Sequence, residues 1–98
     1  MTELAKIEAE AILSKEAADK AWREMAFKAM SLANHVHFWR EVGPEVPSKA
    51  EIDGLYRYLD RYDAAQREYY AKQVESLEAG RKWVAAAKVA VDQIGRKL

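Results

Sequence analysis

Residues 21–42 read AWREMAFKAMSLANHVHFWREV. This stretch holds both phenylalanines, two of the three tryptophans and two of the three methionines, with no glycine or proline to stop a helix. At 100° per residue, Trp22, Met25, Ala26, Ala29, Leu32, Ala33, Val36 and Trp39 share one face, wide enough to be a core stripe. Phe27 and Phe38 fall on the opposite face, nearly in line. A surface helix needs one apolar stripe, so a helix with two is expected to be covered from both sides.

Working outward, no glycine or proline appears between Thr2 and Val42. Thr2 is placed to cap a helix beginning at Glu3, whose acid suits the first turn. The seam reads Leu4, Ile7, Ala11, Ser14, Ala18, then Trp22, Met25, Ala29, Leu32, Val36 and Trp39. Its steps alternate three and four, with one extra four-step between Ala18 and Trp22. The stretch from Gly43 to Ser48 is the turn: Gly43 suits the residue past a helix end and Pro44 stops continuation. Ser48 with Glu51 is a capping-box pattern that starts a second helix near Lys49. From there the seam reads Leu55, Leu59, Tyr62, Gln66, Tyr69 and Gln73. After an extra four-step it continues through Leu77, Gly80, Val84, Ala87, Val91 and Ile94.

The expectation is an all-α fold of a single domain, residues 1–98: a long antiparallel helical hairpin with helices at about 3–42 and 49–94. The alternative is a three-helix bundle broken at Gly80, because glycine can end a helix. Folding at the turn sets Val36 against Leu55, Leu32 against Leu59 and Ala11 against Gly80. Two helices alone make a thin core. Pairing two hairpins into a four-helix bundle is the common remedy, so a homodimer is expected.

Composition narrows the function. Lys+Arg and Asp+Glu are 16 each, giving zero net charge and no basic excess for nucleic acid or anionic lipid. There is no cysteine, hence no disulfide or thiol chemistry. The first residues have no signal-peptide pattern, and no stretch reaches the ~18 apolar residues of a membrane span. A cytoplasmic location is the expectation.

No motif for catalysis, a metal or a cofactor stands out. His35 and His37 point about 200° apart on a helix, cannot chelate one ion together, and read as surface residues. Asp63, Gln66 and Gln73 lie near the apolar face of the second helix, where Asp63 is in reach of Arg67 at i+4. The expected function is therefore a non-enzymatic interaction protein: an adaptor, an assembly subunit, or a small inhibitor of a larger complex of the sort carried by phage and mobile elements. Phe27 and Phe38, with Ser31, Asn34 and Val42 around them, are the candidate partner-binding face, since exposed aromatics anchor interfaces. The alternative is a nucleotide or nucleic-acid module built on the Tyr/Arg-rich segment 56–70. There Arg57, Tyr58 and Arg61 would grip a phosphate and stack a base. The acids interspersed in that segment cancel its positive field.

Overall fold

The computed structural model describes residues 2–43 and 46–97. Two α-helices account for nearly all of them: α1, Glu3–Glu41, and α2, Lys49–Lys97. The fold is an all-α helical hairpin, with no strand among the described residues. No helix there is long and apolar enough to cross a membrane.

Each helix start is fixed by its own side chains. The Ala5 N–H donates to Thr2 Oγ1 at 3.1 Å, and the Lys6 N–H donates to the Thr2 carbonyl oxygen at 3.1 Å. At α2 the capping box closes reciprocally. Ser48 N–H donates to Glu51 Oε2 at 2.8 Å, and Glu51 N–H donates to Ser48 Oγ at 3.3 Å. The Ala5, Ser48 and Glu51 bonds satisfy amides that the first helical turn otherwise leaves without partners.

α1 ends at Gly43 for a reason of space. The Val42 and Gly43 N–H groups both donate to the Phe38 carbonyl oxygen, at 2.8 and 3.2 Å. Gly43 does not take a left-handed backbone. A Cβ added there would run into the Trp39 ring and lie 2.8 Å from the Trp39 carbonyl oxygen. Glycine at this position lets the indole fold over the chain. Gly43→Ala is expected to lower stability by about 1–3 kcal/mol, as other overpacked sites do. A thermal melt checks this, and an unchanged midpoint would mean that the indole swings away freely. Pro44 and Glu45 lie outside the described residues.

α2 runs through Gly80 without interruption, so the three-helix alternative is not formed. A Cβ built on Gly80 meets nothing within 4 Å, so the expected tight contact with Ala11 is absent although the two residues border one groove.

The residues group into two compact units, one of those up to Asp19 with those from Tyr70 onward, the other Lys20–Tyr69. In both, the inward residues follow an uninterrupted seven-residue repeat, and neither expected stutter is present. In α1, Leu4, Ala11, Ala18, Met25, Leu32 and Trp39 are all buried or half-buried. So are Ile7, Ser14, Ala21, Lys28 and His35. In α2 the repeat is Leu55, Tyr62, Tyr69, Ser76, Trp83 and Ala90, with Tyr58, Ala65, Lys72, Ala79 and Ala86 between them.

This corrects the sequence-based seam. Ala21 faces inward and the neighbouring Trp22 is 52% exposed. Val36 is exposed and His35 takes its place, while Val84 is exposed and Trp83 takes its place. Leu77, Val91 and Ile94 are exposed as well. The physical reason is that a side chain's place depends on what the other helix offers it. His35 is held inward by its stack on Tyr58, and the two most buried positions, 18 and 21, carry alanine.

Candidate functional site

The Phe27 face belongs to the unit Lys20–Tyr69 and is carried by α1. Phe27 is 65% exposed, with the Lys28 ammonium 5.9 Å from its ring centre. Lys20, Arg23 and Glu24 border the same shallow recess. Phe38 is half exposed and packs edge-on against Trp39, at 5.6 Å between centroids and 84° between planes. Val42 and Asn34 are exposed, and Ser31 is half-buried. The helix therefore presents Phe27 and Phe38 on its outer side, away from the inward repeat. The face is a ridge with two aromatic points rather than a pocket.

The Tyr/Arg segment is arranged differently. Tyr58 stacks on His35, with centroids 3.8 Å apart and planes 30° from parallel. The Arg61 guanidinium sits 5.4 Å from the Tyr58 ring centre. One face of Tyr58 is thus occupied by the opposite helix, and its half-buried ring is part of the interhelix seam. Arg57 is exposed along the outside of α2. The three residues do not converge on one concave site.

His35 is not the surface residue its sequence context suggests. Its Nδ1 lies 2.8 Å from the Ser31 carbonyl oxygen. A carbonyl oxygen only accepts, so Nδ1 carries the proton in this contact. That bond and the Tyr58 stack hold the imidazole between the helices. Asp63 and Gln73 are exposed, and the Gln66 amide donates to the Tyr62 hydroxyl at 3.4 Å. Among the described residues, no group of three or more His, Cys, Asp or Glu side chains comes together to hold a metal ion.

Part of the stripe expected to form the core lines open grooves instead. Beside the inward repeat runs a second apolar stripe. In the unit Lys20–Tyr69 it forms an open groove where Ala29, Leu32, Ala33 and Val36 of α1 meet Tyr62 of α2, edged by His37 and Arg40. In the other unit, Leu77, Gly80, Trp83 and Val84 line a groove along α2, edged by Arg81 and Lys88. Leu77 and Val84 are each about half exposed there, at 57% and 50%. In the sequence this surface and the inward repeat are two adjacent stripes of equal period.

No family model matches the sequence, no curated protein matches it significantly, and no solved structure matches the fold.

Proposed function

We propose that this chain is a non-enzymatic interaction protein that works as a homodimer of helical hairpins and offers the Phe27–Phe38 ridge to a larger protein as an adaptor, assembly subunit or inhibitor. One observation carries the reading. Among the described residues only Ala18 and Ala21 are buried, each at 7% exposure, and no large side chain is. Trp22, Phe27, Met30, Leu77 and Val84 all keep half or more of their surface in water. Apolar side chains exposed on this scale mark contact with another molecule. A chain this small gains most from such contact, because its own core is limited.

The test is a mass measurement. Light scattering coupled to size exclusion at micromolar concentration is expected to give twice the 11.2 kDa of one chain. A monomer that persists at about tenfold higher concentration, where even a micromolar dimer would form, would end the homodimer reading.

A further inference from the structure

The open stripe of α2 has a charge pattern that selects its occupant. Its apolar residues include Ile52, Tyr56 and Leu59 near the start of the helix and Val84, Ala87 and Val91 near the end. Along its outer edge, at seven-residue intervals, stand Asp53, Asp60, Arg67, Val74, Arg81 and Lys88. The acids fall at one end of this row and the bases at the other. All six are exposed, and Asp53, Asp60, Arg81 and Lys88 have no ion-pair partner among the described residues.

We propose that the occupant is a second copy of this chain, docked antiparallel along α2 with Leu59 of one copy opposite Val84 of the other. This rests on the self-association proposed above and specifies its interface. The same register sets Ile52 against Val91 and the large Tyr56 against the small Ala87. Asp63 meets Gly80, where the missing side chain leaves the carboxylate open to water and to the neighbouring Arg81. On the edge, Asp60 meets Arg81 and Asp53 meets Lys88. The twofold axis makes each pair twice. Arg67 meets the neutral Val74.

The alternatives are weaker. Sliding by one heptad in either direction keeps only half of these opposite-charge pairs and sets Arg67 against Arg81 or against its own copy. A parallel arrangement pairs none of these charges, because the two copies of the edge row then lie on opposite sides of the interface. Edge charges of this kind add little affinity one by one, but they set partner orientation and register.

Two charge-reversed variants test the register. In D53K/D60K and in R81E/K88E, every edge pair of the homodimer becomes like-charged. Each variant alone should dimerise about tenfold more weakly or worse in sedimentation equilibrium at low salt. Mixed, the two restore every pair, so the heterodimer should recover the wild-type dissociation constant. A mixture no tighter than its components overturns the proposal.

If a charge variant loses its helical circular dichroism, oxidative crosslinking decides instead. L59C mixed with V84C should form a disulfide between the two chains, and L59C mixed with V91C should not. Absence of the first crosslink overturns the register. A wild-type chain that is monomeric overturns the homodimer as well. A wild-type dimer that fails the mixing or crosslinking test leaves the homodimer standing and refutes only this interface.

Discussion

Ala21→Leu is expected to destabilise the protein by about 1–3 kcal/mol, while Trp22→Ala costs much less. Ala21 is 7% exposed on the inward repeat. Leucine adds three carbons at a position already closed to water, so either the surroundings shift or the side chain leaves its rotamer. Such a shift would also weaken neighbouring contacts in the seam, which are thin to begin with. Trp22 is the larger residue, yet 52% of its surface is already in water, so truncation removes little that folding buried. Urea melts of the two variants beside the wild type decide the matter. The reverse order, with Trp22→Ala the more damaging, would reinstate the stuttered seam that puts Trp22 inside.

The double variant Phe27→Ser with Phe38→Ser is expected to leave the melting curve nearly unchanged and to remove the interaction with the partner protein. Aromatic residues buried at the centre of an interface carry about 2–4 kcal/mol each in binding. Losing two such anchors would weaken a complex by about 700-fold or more, on the rule that 1.4 kcal/mol is tenfold. Their contribution to the fold is small, since Phe27 is 65% and Phe38 51% exposed. Leu32→Ala is the comparison. Leu32 is half-buried in the seam, and its truncation should cost about 2 kcal/mol, the low end for a core leucine. The measurements are a thermal melt and capture of bound protein from the source cell for each variant. If the phenylalanine variant unfolds as readily as Leu32→Ala while the intact chain is monomeric, both rings belong to the protein's own fold and the ridge is not an interface.

The sequence by itself determined the elements and their ends. Thr2, Ser48 and Glu51 place the two helix starts through local side-chain bonds that need no tertiary partner. The absence of glycine and proline up to Val42 makes α1 continuous. Gly80, with no turn residue beside it, does not break α2. Expected bounds of 3–42 and 49–94 compare with Glu3–Glu41 and Lys49–Lys97. The antiparallel pairing was legible too, because His35 on Tyr58 lies within one helical turn of the expected register. Phe27 and Phe38 stand outside the inward repeat, as their position opposite the apolar stripe required.

What only the tertiary structure decided was which of two stripes faces inward. Periodicity reveals that apolar residues recur every three or four positions. It does not rank two neighbouring stripes of the same period. The structure turns Ala21, His35 and Trp83 inward and leaves Trp22, Val36, Leu77 and Val84 exposed. That choice depends on the side chains of both helices together, so it is not a property of either stretch read alone. His35 lies in the seam because Tyr58 of the opposite helix stacks on it. Gly43 likewise takes its role from a ring, since the space it leaves matters only once the Trp39 indole has folded over the end of α1.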